Sequence, residues 1–115
     1  MIERFDSGPR MSDAVVHNGV VYLAGQVASG GAADIGGQTR EVLAAIDALL
    51  ARAGTDKSRV LRAQIFLADM ADFPGMNAVW DQWVVAGHTP ARATVQAALA
   101  KPQWKVEIVV TAALP

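Results

Sequence analysis

Two charged residues stand inside segments that otherwise read as buried strand. Glu107 lies between Val106 and Ile108 in KVEIVVTAAL, residues 105 to 114, and Arg92 has a similar setting in PARATVQAAL. Side chains alternate along a strand, so Arg92, Thr94 and Gln96 share one face, as do Lys105, Glu107 and Val109. If these two strands pair, a guanidinium and a carboxylate meet among hydroxyl and amide neighbours. An isolated buried carboxylate is costly or takes up a proton, and a guanidinium beside it relieves that cost. The pair then reads in two ways. It marks a small-molecule cleft that both Arg92 and Glu107 face, or it is an ion pair at a sheet edge or subunit interface.

Other chemistries find little support. The two histidines, His17 and His88, have neither a second histidine nor a carboxylate at ligand spacing, so no metal site is expected. The chain has no cysteine, which excludes disulfides, thiolate nucleophiles and zinc–thiolate sites. There is no GxSxG elbow. The Gly/Ala stretch SGGAADIGG, residues 29 to 37, lacks the lysine of a P-loop and the spacing of a dinucleotide turn. Lys105 begins a strand and reads as a solvated edge rather than a Schiff-base lysine. Trp80, Trp83 and Trp104 read as packing, with Trp104 the one nearest the strand of Glu107.

The elements that must position Arg92 and Glu107 follow from pattern. MIERF alternates as a short first strand. DAVVHNGVVYLAG places two apolar runs around Asn18-Gly19, a dipeptide suited to a two-residue hairpin turn. Residues 29 to 37 read as a loop. QTREVLAAIDALLARAG then puts Val42, Leu43, Ile46, Leu49 and Leu50 on one helical stripe, closed by Gly54. RVLRAQIFLADM is a mostly apolar strand, expected to be covered on both sides. Asp72 is placed to cap a second helix, with Pro74 in its first turn and Gly87 at its end. Phe73, Met76, Val79 or Trp80, and Trp83 form its inward face. ARATVQA and KVEIVVTAA close the chain. The order β-β-β-α-β-α-β-β implies an α+β fold with two helices on one face of a mixed sheet. The bare face calls for neighbouring subunits as its cover.

Composition agrees. A chain of 115 residues, 52% hydrophobic and 18% charged, is expected to form a single domain, 1–115. The formal charge is −1 and arginines are dispersed among acids, which disfavours nucleic acid as a partner. No apolar stretch reaches the length of a membrane span, and MIERFDSG lacks the apolar run of a signal peptide. A cytoplasmic protein without membrane partners is expected.

Taken in order, VYLAGQ, QTREVLAAIDALLARAG, QIFLADMADFPGMNAVWDQW, PARATVQAAL and KVEIVV resemble the RidA/YjgF family. Its members are also called reactive intermediate deaminases or endoribonuclease L-PSP. WDQWVVAGHTPAR is most similar to the YoaB-like branch. The resemblance implies a chorismate-mutase-like subunit in a homotrimer, with clefts between neighbours. It implies cofactor-free hydrolysis of 2-imino or 2-enamino acids to 2-keto acids and ammonia. Arg92 would hold the substrate carboxylate and Glu107 would orient the attacking water, with Gly25 and Thr94 lining the pocket through backbone groups. A non-catalytic trimer binding a small carboxylate such as a keto acid is the alternative, and an endoribonuclease a third. The pocket wall departs from the family pattern. Arg10 or Met11 stands near the place of a common tyrosine, Ala24 replaces a serine, Thr94 a cysteine and Val109 a second acid. The final connection reads LAKPQW, bringing Trp104 close to Glu107's strand.

Overall fold

Asn18 and Gly19 both take positive φ, 51° and 77°, and close a hairpin between β2 (Ala14–His17) and β3 (Val20–Leu23). This is the turn expected of Asn-Gly, whose backbone twist matches that of the flanking strands. In the computed structural model, which describes residues 1–115, β1 (Glu3–Phe5) adds antiparallel to β2. Residues 26 and 27 form a further two-residue strand, β4, absent from the expected order.

Helix α1 spans Ile35–Arg52 and buries Val42, Leu43, Ile46, Leu49 and Leu50, the anticipated stripe. It begins three residues earlier than its apolar periodicity suggests, taking Gly36 and Gly37 into its first turn. Ile35 explains the extension: its side chain packs against Gly75, where a Cβ would lie 2.7 Å from Ile35 Cγ2. Gly54, at φ 85°, ends the helix as expected.

Strand β5 (Val60–Leu67) follows, then α2 (Phe73–Trp83), with Pro74 in its first turn and Met76, Val79, Trp80 and Trp83 all buried. Asp72 occupies the N-cap position but its side chain makes no capping bond. Asp69 caps the preceding 3-10 turn instead, accepting from Ala71 N at 2.9 Å. The helix stops at Trp83, short of Gly87, because Val84 turns extended; Gly87 (φ 82°) lies in the turn leading to β6 (Ala91–Gln96). Strand β7 (Val106–Ala113) completes the chain.

The sheet order is β1-β2-β3-β7-β5-β6, with β4 also pairing with β7. All pairs are antiparallel except β5 with β6, which α2 joins as a crossover. Both helices cover one face. Ala63, Ile65 and Leu67 of β5 and Val106, Ile108 and Val110 of β7 turn toward them and are all fully buried. Burying an isoleucine or leucine this way contributes about 1.5–3 kcal/mol. The expectation that β5 is covered on both sides fails within one chain, since Arg62, Gln64 and Phe66 face the uncovered side. Tyr22 and Val95 on that open face are 50% and 46% exposed.

Candidate functional site

Register decides where the two charges go. Strands β6 and β7 do not pair, because β5 lies between them. Arg92 stands beside Ala63, which stands beside Val110, so Arg92 belongs to the helix-covered face. Glu107 stands beside Phe66 and belongs to the open face. Two strand spacings across the sheet, roughly 9.5–10 Å, and three residues along it, roughly another 10 Å, separate their backbones, and the side chains diverge. The meeting of Arg92 and Glu107 expected from alternation therefore does not occur within one chain, and neither does the ion-pair alternative. The chain's salt bridge joins Arg52 to Asp6, at 2.7 Å.

Arg92 is fixed by α2. Its Nη1 donates to Asn77 Oδ1 at 2.8 Å. Its Cζ lies 5.2 Å from the Trp80 ring centroid and 5.7 Å from that of Phe73. Phe73, Asn77 and Trp80 are spaced i, i+4, i+7, which puts them on one side of the helix. Cation–π attraction and one charge-assisted hydrogen bond thus hold the guanidinium at the sheet edge. A guanidinium has five N–H donors in a fork, so one bond to Asn77 leaves others for a carboxylate. Thr94 follows on the same face, beside Ile65, with its Oγ1 buried and lacking a partner in the chain.

Glu107 is placed by different means. Strand β4 pairs with it, Val27 opposite Glu107 and Gln26 opposite Ile108. Its carboxylate lies against Gly25, where any Cβ would overlap Oε2 and sit 3.0 Å from Cδ. Glycine here provides space for a side chain, since its φ is not positive. Gln38 anchors the approach to β7. Its Nε2 donates to the carbonyls of Ala32 and Gln103, at 3.1 and 2.9 Å, and its Oε1 accepts from Lys105 N at 2.8 Å. Gly25 and Glu107 are therefore brought together, as are Arg92 and Thr94, on opposite faces.

The expected pocket-wall residues divide similarly. Ala24 N donates to Asp13 O at 2.9 Å, so the segment carrying Arg10 and Met11 returns to the end of the sheet where Gly25 lies. Arg10 is exposed and Met11 is 56% exposed. Trp104 lines a cavity of about 430 Å3 with Ser29, Gln38, Lys101 and Lys105, which contains none of Arg92, Thr94, Gly25 or Glu107. That cavity is the largest, but its buried polar group, Gln38, is already saturated by backbone partners.

Sequence reasoning missed Asn77 and Gln38. Each is a polar residue on the inward stripe of a helix, Gln38 one turn before Val42 and Asn77 one turn after Phe73. That position is itself the signal, because a polar group there needs a specific partner.

Comparison with known proteins places this arrangement. The family model described as Endoribonuclease L-PSP matches residues 1–114. The RutC family protein YoaB of Escherichia coli K12 is 51% identical over 113 residues, 98% of each chain. A RutC family protein of Haemophilus ducreyi is 49% identical over 114 residues, 99% of this chain and 97% of the other. The crystal structure of a YjgF-family member from Neisseria meningitidis superposes with a TM-score of 0.98 at 50% identity, covering 100% of this chain and 96% of that one. Two helices on one face of a mixed sheet, near-complete coverage and about half the residues in common have one meaning: the chain belongs to the RidA/YjgF family, whose family model carries the Endoribonuclease L-PSP description.

Proposed function

We propose that the protein hydrolyses 2-imino or 2-enamino acids to 2-keto acids and ammonia, without a cofactor, in a site completed between two copies of the chain. One observation carries this reading: neither charge is spent on the other. Arg92 is fixed with donors to spare on one face, and Glu107 rests against Gly25 on the other. A neighbouring copy that covers the open sheet face brings its own Arg92 edge toward Glu107. Closed cyclic assemblies make such contacts repeat identically.

The chemistry asked of the protein is light. Arg92 holds the carboxylate of the substrate and sets C2 near Glu107. Glu107 takes a proton from water as its oxygen adds to C2 of the imine and passes it to nitrogen, giving a carbinolamine. It then takes the hydroxyl proton and delivers it to the same nitrogen as the C–N bond breaks and ammonia leaves. Water is consumed, and a C=N bond is exchanged for C=O. Positioning and proton transfer are the contributions required. A second reading, a trimer that binds a small carboxylate without turnover, draws support from the asymmetry of the two halves. Arg92 has three supporting groups, whereas Glu107 leans on the space left by one glycine.

The test generates imino acids in place with an amino-acid oxidase and traps free imine with semicarbazide. Wild-type protein is expected to lower trapping, while Arg92→Ala and Glu107→Ala leave it at the protein-free level. Equal trapping with all three proteins across a series of parent amino acids overturns the deaminase reading. Retained keto-acid binding by calorimetry would then favour the binding-only one.

A further inference from the structure

The cavity of about 430 Å3 beside Trp104 falls within the size range of small-molecule sites, about 300–1,000 Å3. One wall is the loop that follows β4, and the other is the turn of residues 101–105 that leads into β7. Gln38, only 2% exposed, spans the two. It donates to Ala32 O on one side and Gln103 O on the other, and accepts from Lys105 N. Glu41 holds the loop a second time, its carboxylate accepting from Gly30 N and Ala32 N, both at 2.9 Å. Two loops thus stand at a fixed separation with space between them, and a ligand entering there has little ordering to impose.

Charge gives the cavity its character. Lys101 and Lys105 both line it, and no aspartate or glutamate does. Lys105, expected at a solvated edge, is half-buried, its backbone pinned by Gln38 and by Ala68 N. Lys101 Nζ lies 5.1 Å from the centroid of the Trp104 ring, a cation–π contact that keeps the ammonium at the cavity. The chain's salt bridge joins Arg52 to Asp6, so neither ammonium is neutralised by a carboxylate. Two like charges at one acid-free space repel each other, and an anion between them removes that repulsion. An ammonium is a compact charge with three donors and suits a tetrahedral phosphate, whereas the planar fork of Arg92 suits a carboxylate. Trp104 and Pro102 add apolar surface beside the cations.

We propose that this cavity is a second ligand site, taking an aromatic phosphate monoester whose phosphate lies between Lys101 and Lys105 and whose ring packs beside Trp104. Such an ester carries a charge of about −1.5 to −2 near neutral pH, which matches two ammonium groups. Inorganic phosphate lacks the ring and binds more weakly. The site is one of binding alone, and it stands apart from the reaction proposed for Arg92 and Glu107.

The three tryptophans report on three places: Trp104 on the cavity, Trp80 on Arg92, and Trp83 on Asp47, to which its Nε1 donates. Phenyl phosphate is titrated into nitrogen-labelled protein while the indole N–H signals, assigned with Trp80→Phe and Trp104→Phe, are followed by NMR. The Trp104 signal is expected to shift to saturation while the other two stay in place. Lys101→Ala and Lys105→Ala are each expected to weaken binding about tenfold, and Arg92→Ala to leave it unchanged. The fold should tolerate both lysine changes, since Gln38 and Ala68 bond to the Lys105 backbone and not its side chain. Should either variant fold poorly, Lys101→Gln or Lys105→Gln must show the same loss or the assignment fails. A shift confined to Trp80, with binding lost in Arg92→Ala, would place the phosphate at Arg92 and overturn the assignment. So would a Trp104 signal that never moves, or wild-type affinity in both lysine variants. Inorganic phosphate binding as tightly as the ester would reject the aromatic ligand.

Discussion

Arg92 and Glu107 sit in regions that differ in how they are built. Around Arg92 the chain supplies positive design: a helix face of Phe73, Asn77 and Trp80 that grips the guanidinium through one hydrogen bond and two rings. Around Glu107 it supplies room, through Gly25, and a strut, Gln38, that fixes the backbone two residues away at Lys105. The first region arrives oriented. The second is completed by whatever covers the open sheet face. Under the function proposed above, binding and proton transfer fall to different surfaces, and assembly of copies becomes a condition for chemistry.

The sharpest way to break this contrast is to remove the room. Gly25→Ala would put a Cβ into the Glu107 carboxylate, while straining no positive φ. The clashing atoms belong to a flexible side chain, so Glu107 moves and the fold survives. Turnover is expected to fall about as far as in Glu107→Ala, on the order of a hundredfold for a misplaced general base, with little change in melting temperature. Full activity in Gly25→Ala would show that the position of Glu107 against Gly25 is unimportant.

A smaller effect is expected from loosening the first region. Asn77→Ala removes a bond to a charged group, and KM should rise about tenfold while kcat changes little. A fall in kcat with KM unchanged would mean that Asn77 serves the reaction step and not the placing of Arg92.

Smallest of all is the effect of the exposed latch between Arg52 and Asp6, which ties the segment carrying Arg10 and Met11 to the end of α1. The hydrogen bond from Arg52 holds the Asp6 carboxyl below its ordinary range, and Asp6 in turn holds Asp13 above it. Asp6 is the depressed case. Its contribution is present above the unfolded carboxylate range and lost as pH falls through the lower folded value. Asp13 is the raised case and works in the opposite sense, favouring the fold on the acid side. Arg52→Met should therefore quicken hydrogen exchange in residues 7–12 near neutral pH, and the difference from wild type should close below the carboxylate range. Exposed pairs contribute little, and an unchanged melting temperature is expected.

Local features of the fold were readable from residues alone. Asn18-Gly19 specifies its turn, and the stripe from Val42 to Leu50 specifies its helix, because neighbours in sequence settle both. Alternation also sorted the side chains of β6 and β7 correctly between faces. What alternation cannot give is which strand lies between which. With β5 inserted, Arg92 and Glu107 fall on opposite sides, a consequence of pairings between residues distant in sequence. Asn77 and Gln38 escaped for a related reason: their partners, Arg92 and Lys105, lie 15 and 67 residues away. Family resemblance supplied the candidate roles of Arg92 and Glu107, and register then showed that one chain cannot unite them.

The most direct test of a site shared between copies is complementation. Arg92→Ala and Glu107→Ala proteins, each inactive alone, are unfolded together, refolded as mixed assemblies and assayed for imine hydrolysis. If Arg92 of one copy serves Glu107 of another, random mixing in a closed ring regenerates native sites at about a quarter of the interfaces, and activity returns to about that fraction of wild type. If mixed assemblies form and remain as inactive as either parent, the two residues do not act across copies, and the account is contradicted.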